Sequence, residues 1–81
     1  MQCYVYRSTR RADTYVYLPR RDDFTEIPEG LLRALGRFEF ALEFELTPQR
    51  RLAHEDPFIV LANIEAHGFH LQLRPPDEEG K

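Results

Sequence analysis

Cysteine is almost missing from this sequence of 81 residues, which has Cys3 and no other. One thiol cannot form an intramolecular disulfide, and it cannot supply the ligands of a zinc site built on several cysteines. A small domain without disulfides is typical of the reducing cytoplasm. Cys3 lies in a strand-like segment that supplies neither a helix N-terminus nor a cationic partner, so it is predicted to be structural and not a nucleophile.

Long apolar runs are also missing. The longest, PFIVLA at residues 57–62, is far shorter than the roughly 20 residues that a helix needs to cross a bilayer. The N-terminal MQCYVYRSTRR lacks the apolar core of a secretory signal peptide. We therefore expect a soluble cytoplasmic protein that does not contact a membrane.

Basic residues are in the minority, with 11 lysines and arginines against 14 acidic residues and a net charge of -3. This balance argues against a protein that coats nucleic acid. The charge is distributed unevenly, since residues 1–21 sum to +4, residues 22–37 to -2 and residues 38–81 to -5. All cations but one are arginines, whose planar guanidinium suits carboxylate and phosphate groups. An acidic sequence thus contains one basic N-terminal region.

The N-terminal half has the pattern of a β-hairpin followed by a short helix. Residues 2–7 and 14–18 are rich in β-branched and aromatic side chains, and the polar residues between them favour a turn. Pro28 suits the first position of a helix and Gly36 the position after its last turn, which predicts a helix over residues 28–35. Packing of its leucines must stabilise so short a helix.

The C-terminal half predicts a strand, a helix and a final strand. Over residues 37–46 apolar and polar residues alternate, so five apolar side chains are expected on one sheet face and three glutamates on the other. Asp56 and Gly68 suit the ends of a helix over residues 57–67, and residues 69–73 alternate again. The order β-β-α-β-α-β predicts one α+β domain with a four-stranded sheet. These patterns leave open which sheet face each helix covers.

Four segments, in this order along the chain, resemble the YcgL domain family of small bacterial proteins: CYVYRS, DTYVYL, DDFTEIPEGLLRALG and GFHLQLRPP. The resemblance covers about residues 2–76, which makes them one domain and leaves residues 77–81 as a mobile tail. It implies a compact α/β/α sandwich with helices on both sides of a sheet. The resemblance implies no activity, no cofactor and no catalytic residue. It also implies a genomic context, since genes of this family occur in neighbourhoods that contain an exoribonuclease.

The sequence contains no recognisable catalytic constellation. Ser8 lies outside any G-x-S-x-G motif and is better explained as the start of the hairpin turn. His67 and His70 could bind a metal with a carboxylate, but His67 also suits a helix C-terminus, and no metal is predicted. His54 lies beside Glu55 and Asp56, and the capping role of Asp56 already explains why polar residues stand there. This segment is therefore not predicted to be a metal site. The glutamates of the third strand are predicted to meet water or arginines and not to act as an acid–base set.

The predicted hairpin combines aromatic and basic side chains, as several RNA-binding modules do. Aromatic rings on a sheet can stack bases while nearby arginines bind phosphates. The alternative is that the tyrosines pair across the strands, that the arginines are solvated and that Asp22 and Asp23 offset their charge. The residues of this candidate anion or RNA surface are Tyr4, Tyr6, Arg7, Arg10, Arg11, Tyr15, Tyr17, Arg20 and Arg21.

The second predicted helix is apolar around most of its circumference. One face consists of Val60, Leu61 and Ile64, and well round from it lie Phe58, Ile59 and Ala62. If exposed, the second set would form an apolar patch of the kind that marks a protein interface. The alternative is that the connection at residues 47–55 covers these side chains.

These observations favour a non-enzymatic cytoplasmic module of unknown molecular function that acts through protein contacts, with either a partner protein or a second copy of the chain. The alternative is an RNA-associated accessory domain that uses the hairpin arginines and tyrosines. Neither role calls for a cofactor, a metal or a membrane.

Overall fold

The computed structural model describes residues 1–52 and 55–73. The predicted order and the α+β class are confirmed. His54 and the tail predicted at residues 77–81 lie outside the described residues. The elements are β1 (Gln2–Ser8), β2 (Thr14–Leu18), α1 (Glu29–Leu35), β3 (Phe38–Glu45), α2 (Pro57–His67) and β4 (His70–Leu73).

The four strands form one antiparallel sheet in the order β3-β1-β2-β4. The β1–β2 hairpin occupies its centre, with Tyr4 opposite Leu18 and Arg7 opposite Tyr15. β3 and β4 are the two edges. Because successive residues of a strand point to opposite faces, this register decides which side chains meet each helix.

The sheet has a hydrophobic core on each face. The core on what we call the α2 face consists of Cys3, Val5, Tyr17, Phe44, Leu46, Val60 and Ile64. The core on the α1 face consists of Tyr6, Val16, Leu18, Ile27 and Leu35. The two helices therefore cover opposite faces of the sheet, as the family resemblance implied.

β3 does not keep the single apolar face that its alternating sequence predicts. Its pairing with β1 shifts by one residue, so that Ala41 is an extra residue at a β-bulge. Phe38 and Phe40 consequently lie on the α1 face, whereas Leu42 and Phe44 lie on the α2 face. The prediction of five apolar side chains on one face is therefore wrong, because a bulge reverses the alternation.

Both helices end at the glycines that the sequence predicts. Gly36 has φ 74° and Gly68 has φ 87°, conformations that favour glycine. Asp56 caps α2 as predicted, since its carboxylate accepts a backbone hydrogen bond of 2.9 Å in the first turn. α1 begins at Glu29, one residue later than predicted, because Pro28 is its N-cap and not its first helical residue.

Gly30 in α1 is a site for a stabilising substitution. A Cβ atom there would meet no heavy atom within 4 Å, and its φ is not positive. We expect Gly30→Ala to raise the free energy of unfolding by about 0.5–1 kcal/mol, since alanine loses less backbone entropy in a helix. Urea unfolding followed by circular dichroism measures the change.

The matched control is Gly36→Ala, which we expect to destabilise the protein. The φ of 74° disfavours alanine, and the new Cβ would lie 2.8 Å from Cγ of Arg10. A Gly30→Ala variant no more stable than the wild type would contradict the prediction for α1.

Candidate functional site

Two arginines of the predicted anion surface are engaged with the carboxylates of β3. Arg7 forms an ion pair with Glu39, and Arg21 lies 3.4 Å from Glu43. The Arg21 guanidinium also lies 4.4 Å from the centre of the Phe40 ring, a cation–π contact. Glu39 and Glu43 therefore meet arginines as expected, whereas Glu45 pairs with the N-terminal ammonium group at 2.7 Å.

The other three arginines differ in their surroundings. Arg20 lies 3.6 Å from Asp23. Hydrogen bonds from Thr25, together with this arginine, hold the pKa of Asp23 below its ordinary value. Arg10 and Arg11 form no ion pair within residues 1–52 and 55–73. They line an open cleft of about 770 Å³ at the hairpin turn.

The four tyrosines do not form one aromatic surface. Tyr4 and Tyr6 lie on the α1 face, whereas Tyr15 and Tyr17 lie on the α2 face, because the hairpin register places Tyr6 opposite Val16. Tyr6 and Tyr17 are buried in the two cores. The fold thus contradicts a stacking surface made of all four rings, since the rings lie on opposite faces of the sheet and two of them are buried.

Tyr6 instead anchors the loop that follows β2. Its hydroxyl donates to Oδ1 of Asp22 at 2.8 Å and accepts from the Asp22 backbone N–H at 2.7 Å. Asp22 has φ 59°, a left-handed conformation in which aspartate is enriched. Burial, and secondarily the hydrogen bond to the Asp22 carboxylate, raise the pKa of Tyr6. This hydroxyl is a structural group.

α2 presents one apolar face to the core and a second to the surface. Val60 and Ile64 are buried in the α2-face core. Phe58 and Ile59 are 64% and 54% exposed, and Ala62 is exposed beside them. The exposure that the interface hypothesis requires is therefore present. Within residues 1–52 and 55–73, neither helix has the length and apolar character that crossing a membrane demands.

The histidines near the end of α2 lie in different environments. His67 is exposed in the last turn of α2, whereas His70 is buried at the start of β4. His70 Nε2 lies 2.8 Å from Oε1 of Glu55, and His70 Nδ1 lies 2.9 Å from Nδ2 of Asn63. With the Asn63 amide as donor, Nδ1 accepts and Nε2 donates to Glu55, a tautomer assigned from the hydrogen bonds.

This network uses both ring nitrogens of His70, so the ring is not open to a metal in this arrangement. Among the described residues there is no group of three or more histidine, cysteine, aspartate or glutamate side chains placed to hold a metal ion. The network connects the start of α2 to β4, and its role is structural. Sequence reasoning missed it because only the fold brings Glu55, Asn63 and His70 together.

Sequence reasoning also assigned no role to Arg50 and Arg51. The structure places them at a second cleft, beside Tyr15 and Tyr17 on the α2 face. The one sequence signal that could have indicated them is a pair of adjacent arginines in an otherwise acidic half of the chain.

Comparison with known proteins identifies the family. A family model described as the YcgL domain matches residues 3–76. A YcgL domain-containing protein of Thioalkalivibrio sulfidiphilus is 58% identical over 78 residues, which cover 96% of this chain and 96% of that protein. Similar proteins of Azotobacter vinelandii and Stenotrophomonas maltophilia are 47% and 49% identical, covering 95% and 93% of this chain and 79% and 87% of their own lengths. These names specify a domain and no activity. The chain therefore belongs to the YcgL domain family.

Proposed function

We propose that the protein is a non-enzymatic interaction module that binds a protein partner through the exposed face of α2, formed by Phe58, Ile59 and Ala62. The observation that carries this proposal is the exposure of Phe58 and Ile59. These two large apolar side chains are adjacent and expose apolar surface to water. Binding of a partner that covers this surface is favoured by the free energy of burying it.

The helix that presents this face is held firmly in place. Val60 and Ile64 pack in the core on its inner side, and Asp56 and Gly68 cap its two ends. A surface that is ordered before binding loses little conformational entropy when a partner arrives. The exposed face is therefore suited to recognition in its present conformation.

The charges beside the exposed face indicate the chemistry of the partner. Asp56 and Glu65 are both exposed on α2, and the helix has no lysine or arginine. Complementary charge favours a partner that surrounds its apolar side chains with basic residues. α2 has 11 residues and is therefore roughly 16 Å long. A helix of this length offers less surface than each side of a standard interface, which buries about 800 Å². This small area favours a regulatory contact over a permanent one.

The test is capture from native lysate by the tagged protein, with and without nuclease treatment. We expect the double variant Phe58→Ser/Ile59→Ser to reduce the captured partner by at least about tenfold, since central apolar residues dominate binding energy. The control is Leu73→Ser, because Leu73 is 65% exposed, like Phe58, but lies on β4. Dependence on Phe58 and Ile59 is the supporting result, and capture by itself is not.

Three results would overturn the proposal. Equal capture by the wild type and the double variant would show that the exposed face of α2 is not the binding surface. Loss of the partner on nuclease treatment would show an RNA-bridged contact. A dimer of the wild type that the double variant abolishes, seen by analytical ultracentrifugation, would identify a second copy of the chain as the occupant.

A further inference from the structure

A cleft on the α2 face combines aromatic walls with a basic rim. Its volume is about 360 Å³, within the range of small-molecule sites. Tyr15, Tyr17 and Phe44 contribute rings to its lining, and Arg50 and Arg51 contribute guanidinium groups. None of these residues belongs to the exposed face of α2, so the cleft is a separate surface.

The cleft exists because α2 covers only part of its sheet face. The core that includes Val60 and Ile64 of α2 extends to Cys3 of β1, whereas Tyr15 and Leu42 line the cleft beside it. The bulge at Ala41 also contributes, because it leaves Leu42 on this face, where the side chain is 47% exposed and lines the cleft. Apolar surface therefore stays open to solvent beside Tyr15.

The basic rim has no acidic partner within the described ranges. Neither Arg50 nor Arg51 forms an ion pair there. The Arg50 guanidinium lies 4.7 Å from the centre of the Phe44 ring. The cleft thus holds positive charge against an aromatic wall, and an anion would complement it.

A buried amide adds a directional group to the cleft. Gln72 is buried, and its Oε1 accepts a hydrogen bond of 2.6 Å from the Tyr17 hydroxyl. The Nε2 atom of Gln72 has no hydrogen-bond partner in the described part of the chain. Since every fully buried side-chain nitrogen and oxygen there has a hydrogen-bond partner, Nε2 is not fully buried. This nitrogen is therefore in reach of solvent at the cleft, where it can donate to a ligand.

We propose that this cleft binds a planar aromatic anion, with the ring against Tyr15 and Leu42 and with the anionic group on Arg50 and Arg51. The apolar lining accounts for the ring, and the guanidinium groups account for the charge. Carboxylate and phosphate share this chemistry, so the ligand class includes aromatic carboxylates and nucleoside monophosphates.

The experiment is a titration of the full chain, followed by calorimetry and by the amide NMR signals of Tyr15, Tyr17 and Gln72. Indole-3-acetate and adenosine 5′-monophosphate are the two aromatic anions, and adenosine and inorganic phosphate each supply one half of a ligand. We expect at least one aromatic anion to bind with a Kd of about 1 mM or lower. Adenosine and inorganic phosphate are each expected to bind at least about tenfold more weakly than that aromatic anion. Whichever of indole-3-acetate and adenosine 5′-monophosphate binds more tightly shows whether the preferred anionic group is a carboxylate or a phosphate.

Variants test the position of the ligand. We expect the double variant Arg50→Gln/Arg51→Gln to weaken binding at least about tenfold, because it removes the positive charge. We expect Leu42→Glu to weaken binding by a similar factor, because its carboxylate blocks the cleft and repels an anion. Arg33→Gln is the control, because Arg33 is equally a surface arginine but lies on α1 and pairs with Glu29. Three results would overturn the proposal: no binding of either aromatic anion, binding unchanged in both cleft variants of confirmed fold, or inorganic phosphate binding as tightly as the aromatic anions.

Discussion

The stability of this protein is expected to fall more steeply above pH 9 than that of its Cys3→Ala variant. Cys3 is fully buried in the α2-face core, and burial raises the pKa of its thiol from 9.0 to about 12. In the unfolded chain the thiol ionises near pH 9, whereas in the folded chain it stays protonated. The folded state therefore binds more protons between these two pKa values, and its stability decreases as the pH rises through them.

The magnitude is large for a single side chain. One pH unit between the two pKa values removes up to about 1.4 kcal/mol, so that about 2 kcal/mol is lost by roughly pH 10.5. Below pH 9 the thiol is protonated in both states, and its contribution does not change with pH. Urea unfolding at a series of pH values measures this slope.

Comparison of slopes isolates the thiol from other effects. Alanine at position 3 removes packing atoms and lowers the starting stability, but this loss does not depend on pH. Tyr6, whose pKa is also raised, contributes a decrease of the same sign to both proteins. Parallel curves for the wild type and Cys3→Ala would contradict the burial of the thiol.

Ser8→Ala is expected to lower the free energy of unfolding by about 2 kcal/mol. The Ser8 hydroxyl is fully buried, donates to the Leu35 carbonyl at 2.5 Å and accepts from the backbone N–H groups of Arg10 and Arg11 at 3.2 and 3.0 Å. One side chain thus satisfies three backbone groups where the hairpin turn meets the end of α1. Alanine leaves these groups without that partner, and the Leu35 carbonyl loses it in a buried position.

The neighbouring residue provides a matched control. Thr9 Oγ1 donates to the Arg37 carbonyl at 2.9 Å and accepts from the Arg37 N–H at 3.1 Å, but both bonds are exposed. Water can replace the hydroxyl there, so Thr9→Ala is expected to change the stability by about 0.5 kcal/mol or less. Equal losses in the two variants would show that burial does not set the effect.

The uneven charge of the sequence has a structural explanation in this fold. The basic N-terminal region contains β1, and the acidic region begins with β3, which is the neighbour of β1 in the sheet. Arg7 and Arg21 therefore meet Glu39 and Glu43. Each exposed pair of this kind contributes little to stability. The pairs nevertheless neutralise two arginines that, from the sequence alone, could have bound a ligand.

Local signals account for the elements that were predicted well. α2 has the predicted bounds, because an aspartate and a proline begin it and a glycine ends it. β2 also has the predicted bounds, since the proline that follows it cannot supply the ladder hydrogen bond. Each of these signals acts within a few residues and needs no knowledge of the remaining chain.

The candidate sites were predicted less well, because they depend on which surfaces are covered. The helical spacing of Phe58 and Ile59 separated them from the buried face of α2, but only the structure showed that the connection at residues 47–55 leaves them exposed. Arg50 and Arg51 belong to a connection without periodicity, so nothing local linked them to Tyr15.

The sequence by itself determined the class of the fold, the order of its elements, the glycines that end its helices and the start of α2, because these properties come from short-range sterics and capping. Only the tertiary structure decided that a bulge divides β3 between two cores and that the four tyrosines lie on both sides of the sheet, and it confirmed the helices on opposite faces that the family resemblance implied. The physical reason is the register of the strands, since a shift of one residue moves every later side chain to the other face.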